Sequence, residues 1–269
     1  QAIHWMHRRS RCVLGWGLGA PPLRGNLTGW RRRGRNNFLR QFDGIIAYSQ
    51  RGAEEYAAAG FPPERIFVAL NAVAPKPVQP IPERPLDFRN RPVVLFVGRL
   101  QARKRIDELL QACADLPEAY QPELWIVGDG PAREEYQSLA QQIYPKAKFF
   151  GARFGQELDA IFDRADLFVL PGTGGLAVQQ AMAHGLPVIV AQSDGTQGDL
   201  VRPENGWIIA PGDYASLKLT LQQALQDPLR LRRMGSESYR IVAEEINLEH
   251  MVAVFVEALS SVQMGKTAA

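Results

Sequence analysis

The stretch that most restricts the fold is Leu167–Pro187, LFVLPGTGGLAVQQAMAHGLP. It reads as strand, glycine-rich turn, helix and stop. Leu167–Leu170 is a short apolar run, as in a strand buried on both faces. Pro171 ends it. Gly172, Gly174 and Gly175 carry no side chains that would keep a ligand from the main chain. Leu176–Ala183 is small and apolar all round, which suits a buried helix. Gly185 stands where a C-cap glycine belongs, and Pro187 follows it. The unpaired N–H groups and dipole at such a helix start favour an anion, so a phosphate would fit against Gly174, Gly175 and Leu176. A plain strand-to-helix connection with no ligand is the competing reading, and this stretch alone leaves both open.

The same alternation runs through the second half of the chain. Strands are expected at Val93–Val97, Leu124–Val127, Lys148–Phe150, Leu167–Leu170, Val188–Ala191 and Trp207–Ile209. Helices are expected at Gln156–Arg164, Leu176–Ala183 and Tyr214–Gln226. Ile106, Leu109, Leu110, Cys113 and Leu116 recur at helical spacing, and 229–246 and 248–263 close the chain as helices. This order predicts an α/β fold with a mainly parallel, doubly wound sheet, whose ligands sit at the carboxyl ends of the strands. Upstream, Phe42–Ser49 reads as a helix end and a strand. Ser49 is a suitable N-cap for Gln50–Ala59, which Gly60 closes, and Arg65–Leu70 is another strand. Between 74 and 92 lie six prolines, which mark a stiff linker. The expected organisation is a partial N-terminal domain at 1–74, a linker at 75–91, a ligand-binding domain at 92–245, and a C-terminal helix and tail at 246–269.

Charge is unevenly spread. Residues 1–52 hold ten Arg and one acid, Asp43, a local +9, although the whole 269-residue chain carries only +3. A basic segment on an acidic body suits a polyanionic neighbour, or else forms a solvated face. Gly15–Ala20 matches the dinucleotide pattern G-x-G-x-x-A by letter. Pro21–Pro22 and Gly25 stand where its helix should open, and no acid follows at the ribose spacing, so the match is rejected. Cys12 and Cys113 form no disulfide or metal pattern, which points to a reducing compartment. No apolar run approaches the roughly 18 residues that span a bilayer. A cytoplasmic protein, with possible membrane association, is expected.

Three glycine-rich strand-to-helix turns should share one rim: Gly98–Lys104, Gly128–Pro131 and Gly172–Gly175. Arg99 offers a fork of donors to phosphate oxygens, and Lys104 a point charge. Two cations and a helix N-terminus on one rim would neutralise a diphosphate.

Several motifs occur in a fixed order: Val97-Gly-Arg-Leu with Arg103-Lys104, Gly128-Asp-Gly-Pro131, Phe149-Phe-Gly151, Ala165–Pro171, Ala181–Ile189, and Asp199-Leu-Val with Asn205-Gly206. Over residues 92–227 the chain resembles the nucleotide-sugar-binding domain of GT-B glycosyltransferases of family 4. Residues 13–73 look like the last part of that family's acceptor-side domain, whose first half is then missing. The resemblance implies a transferase that moves a sugar from a nucleotide-diphosphate donor to a glycan or lipid-linked acceptor. It implies retention of anomeric configuration and no metal or other cofactor. Arg99 and Lys104 would stabilise the leaving diphosphate. Gly98, Gly128, Gly172, Thr173, Gly174, Gly175 and Leu176 would line the donor, with Phe150 and Arg153 near the base. Where the family places two glutamates eight residues apart, this chain has Gly172 and Gln180. Where many relatives carry a His, it has Leu18. A non-catalytic nucleotide-sugar-binding or partner-binding relative is therefore the alternative. Residues 1–52 would contact an anionic membrane; nucleic acid is not expected as a partner.

Overall fold

The computed structural model describes residues 1–20, 29–88, 91–193 and 195–267. Pro21, Pro22, Arg24 and Gly25, on which parts of the sequence reading drew, lie outside them. The strands are β1 (Leu14–Gly17), β2 (Gly44–Ala47), β3 (Ile66–Val68), β4 (Val93–Val97), β5 (Glu123–Val127), β6 (Ala147–Gly151), β7 (Leu167–Leu170), β8 (Val188–Ala191) and β9 (Gly206–Ile209). The helices are α1 (Ala2–His7), α2 (Gly29–Leu39), α3 (Gln50–Ala58), α4 (Ile106–Ala114), α5 (Arg133–Ile143), α6 (Gly155–Arg164), α7 (Leu176–Ala183), α8 (Thr196–Leu200), α9 (Tyr214–Gln226), α10 (Pro228–Glu244) and α11 (Leu248–Thr267). They form two compact units: Gln1–Ala72 together with the residues from Leu248 onward, and Val73–Asn247.

In the first unit β1, β2 and β3 make a parallel sheet in that order. Strand geometry sends successive side chains to opposite faces. Ile45 and Ala47 therefore pack with Tyr56, Ala59 and Phe61 on one side, while Ile46 packs with Ala69, Ala258 and Phe255 of α11 on the other. Both faces need cover because β2 is apolar at every position. The Ser49 hydroxyl accepts the Gly52 N–H at 3.0 Å, so the expected cap is present. Gly15 and Gly17 lie within β1 rather than in a phosphate-binding turn. Helix α2 lies in a stretch for which the sequence predicted no element. It buries no residue, so no apolar stripe announces it.

The second unit holds one six-stranded parallel sheet, ordered β6-β5-β4-β7-β8-β9. All six strands fall on the apolar runs read from the sequence. Val94–Phe96, Leu167–Leu170 and Val188–Val190 are buried at its centre. Strand order reverses between β4 and β7, which opens a crevice at their carboxyl ends. The proline-rich stretch belongs to this unit. Arg84 within it donates to the carbonyls of Phe162 (3.0 Å), Ala165 (2.7 Å) and His184 (3.0 Å), satisfying the ends of α6 and α7. Burial lowers the pKa of this guanidinium to about 10. Gln179 ties α7 to both borders of the unit. Its Oε1 accepts from the N–H groups of Val73 (2.5 Å) and Ala74 (2.9 Å), and its Nε2 donates to the Ile246 carbonyl at 2.7 Å. Among the described residues, no helix is long and apolar enough to cross a membrane.

Candidate functional site

The crevice at the β4/β7 reversal is a cleft of about 620 Å³. Three strand-end turns build it, and they approach closely because glycines remove the side chains between them. Gly128 holds φ +135°, and a β-carbon there would overlap the Gly98 carbonyl oxygen. A β-carbon on Gly172 would overlap the Arg103 carbonyl oxygen. The Thr173 N–H donates to that same carbonyl at 3.1 Å, so the β7–α7 turn sits on the 3₁₀ turn Ala102–Lys104.

Lys104 runs between two of these turns. Its Cε stands 3.8 Å from the β-carbon position of Gly98, and its ammonium reaches Gly174. The residue is 8% exposed, yet it lines the cleft. No carboxylate pairs with it among the described residues. Desolvation first, and the neighbouring Arg103 second, push its pKa below the ordinary lysine value. A buried cation without a counter-charge is costly unless something neutralises it. Arg99 lies exposed at the same wall, and it has no acidic partner among the described residues. Arg103 adds a third cation and holds the glycine turn by donating to the Thr173 hydroxyl at 3.0 Å. The first amides of α7 open onto the cleft through Gly174, Gly175 and Leu176.

Gly98, Arg99, Lys104, Gly128, Arg153, Gly174, Gly175, Leu176 and Gln180 all line this one cleft. Phe150 instead packs against Trp125, ring centroids 5.3 Å apart. Gly172 is buried beneath the turn, and Thr173 is engaged by Arg103. The sequence reading missed Arg103, although it falls between the two cations chosen. It also missed Asp129, whose carboxylate pairs with Arg133 at 3.0 Å, and Phe154, an exposed ring at the mouth beside Arg153. Arg153 pairs with Glu157 at 3.1 Å. In the first unit, His7 is held by Asp43 at 3.0 Å, and Leu18 is exposed.

The family model for glycosyl transferases group 1 matches residues 79–241. The chain belongs to that family. This group 1 chain is 25% identical to the lipopolysaccharide core biosynthesis glycosyltransferase LpsE of Rhizobium meliloti over 231 residues, 84% of this chain and 67% of LpsE. It is 34% identical to a GDP-mannose-dependent alpha-mannosyltransferase of Mycobacterium tuberculosis over 175 residues, 63% of this chain and 44% of that protein. The chain thus spans between under half and about two thirds of these two relatives. Among solved structures it is similar to HepE of Anabaena in complex with UDP, with a TM-score of 0.77 at 21% identity, covering 97% of this chain and 75% of HepE. The fold of this group 1 chain is the GT-B type, with parallel sheets in both units.

Proposed function

We propose that the cleft binds the diphosphate of a nucleotide-sugar, and that the chain serves a retaining, metal-independent glycosyltransferase of family 4. One observation carries this reading: the buried, uncompensated ammonium of Lys104 aimed at the amides that open α7. Two further cations, Arg99 and Arg103, line the same space. The leaving diphosphate gains negative charge as the glycosidic bond breaks. Fixed donors that hold this charge better than the ground state lower the barrier, by roughly 3–4 kcal/mol for each such donor. Three cations take the place of a metal in this scheme. The base lies toward Gly128, Arg153 and the exposed Phe154, on the β5 and β6 side. HepE, which shares the fold, is solved with UDP, and the mycobacterial relative is named for GDP-mannose.

The acceptor is a glycan or a lipid-linked glycan, as the name of LpsE suggests for that protein. The protein works in the cytoplasm. The exposed arginines of α2 give it a basic face toward an anionic membrane. A second reading, a binding protein without transfer, is favoured by two features: Gly172 has no room for a side chain, and Gln180 is uncharged.

The deciding experiment is a thermal-shift screen of UDP-, GDP- and ADP-sugars. Stabilisation by at least one of them, lost in Arg99→Ala, is the expected result. No shift with any of them removes the donor-site reading. Transfer followed by proton NMR of the anomeric centre then separates enzyme from binder and retention from inversion.

A further inference from the structure

Helix α8 follows β8, and its Gln197 is 2% exposed. Its Oε1 accepts the Ser193 N–H at 3.2 Å, while its Nε2 is buried with no hydrogen-bond partner. That nitrogen lies 3.6 Å from the point a β-carbon on Gly175 would occupy. Gly175 lines the cleft and precedes the first turn of α7. With no side chain at Gly175, this main-chain position is the window between the cleft and the buried amide. An orphaned donor of this kind costs stability unless a ligand atom accepts from it.

We infer that Gln197 is a specificity-determining residue that donates, through the Gly175 window, to a hydroxyl oxygen of the transferred sugar. This rests on the donor-site reading above. The division of charge assigns the partner. Lys104, Arg99 and Arg103 belong to the β4 side, where a diphosphate needs compensation. On the β8 side the unpartnered Gln197 amide nitrogen is a neutral donor, and the amide oxygen is already engaged. A neutral N–H suits a neutral hydroxyl, and the hydroxyls of the transferred sugar are what a sugar nucleotide carries beyond its nucleoside diphosphate.

The test compares UDP with UDP-glucose, and GDP with GDP-mannose, by calorimetry on the full chain and on Gln197→Leu. The expected result is an affinity for the sugar nucleotide lowered about fivefold, the worth of one neutral hydrogen bond, with the affinity for the diphosphate unchanged. Gln197→Met, of similar length and without the amide donor, should give the same selective loss; it decides the matter if the Leu variant does not fold. Equal losses for diphosphate and sugar nucleotide, or no loss for either, overturn the assignment of Gln197 alone. A wild-type chain that binds neither diphosphate overturns the donor-site reading, and this inference with it.

Discussion

The ammonium nitrogen of Lys104 lies 2.5 Å from the point that a β-carbon on Gly174 would occupy. Gly174 also holds φ +112°, a conformation that side chains rarely adopt. Gly174→Ala must then both strain the turn and displace the ammonium. The expected loss of stability is about 1–3 kcal/mol, read from the denaturant midpoint. Diphosphate affinity should fall by more than tenfold, because the cation leaves the α7 amides. A variant with native stability and native affinity would show that the two groups do not act together.

Lys104→Met separates folding from binding. The ammonium is desolvated and lacks an acidic partner, so its replacement by an apolar side chain of similar length should leave stability unchanged or raise it by about 1 kcal/mol. Diphosphate affinity should fall by more than tenfold in the same variant, with the residual binding still measurable at high ligand concentration. Opposite signs in the melting curve and in calorimetry are the signature. Destabilisation would mean that Lys104 supports the fold instead.

Much of this arrangement was legible in the sequence, for local reasons. The six strands of the second unit are short apolar runs bounded by Gly, Pro or polar residues, and their alternation with helices fixes a parallel sheet. That in turn puts Gly98, Gly128 and Gly174 on one rim. What escaped depends on distant contacts. Nothing near Lys104 in sequence announces its burial, which comes from the docking of the Gly172–Gly175 turn. The packing of α11 in the first unit needs Ile46 and Ala258 to meet across more than two hundred residues. Helix α2 lacks the apolar stripe by which helices are read. Adjacent glutamines look alike on paper, yet Gln179 points into the frame and Gln180 into the cleft.

Those two glutamines give the third prediction. Gln179→Leu leaves the Val73 and Ala74 N–H groups and the Ile246 carbonyl without their partner. At about 1–3 kcal/mol for each buried group left unpaired, stability should fall by roughly 2–4 kcal/mol, since partial relaxation recovers some of the sum. Gln180→Leu should cost under about 1 kcal/mol of stability, being a partly exposed residue of the cleft wall. Its effect belongs in nucleotide-sugar affinity. Chemical denaturation and calorimetry on the pair should give mirror-image results.

The last prediction concerns pH. In the free protein the Lys104 pKa is depressed, mainly by desolvation, so the folded state releases this proton at a lower pH than the unfolded chain does. In the window between the two values the unfolded state binds more protons, and stability gains from this group as pH rises. A bound diphosphate acts in the other direction. Its negative charge favours the ammonium and raises the pKa, so binding takes up a proton within that window. Diphosphate affinity should therefore weaken as pH rises through the alkaline range below the ordinary lysine value. Calorimetry in buffers of different ionisation heat measures the proton taken up, and Lys104→Met should abolish both the uptake and this part of the pH dependence. Proton uptake that persists in the Met variant would assign the titration to another group and leave Lys104 outside the binding step.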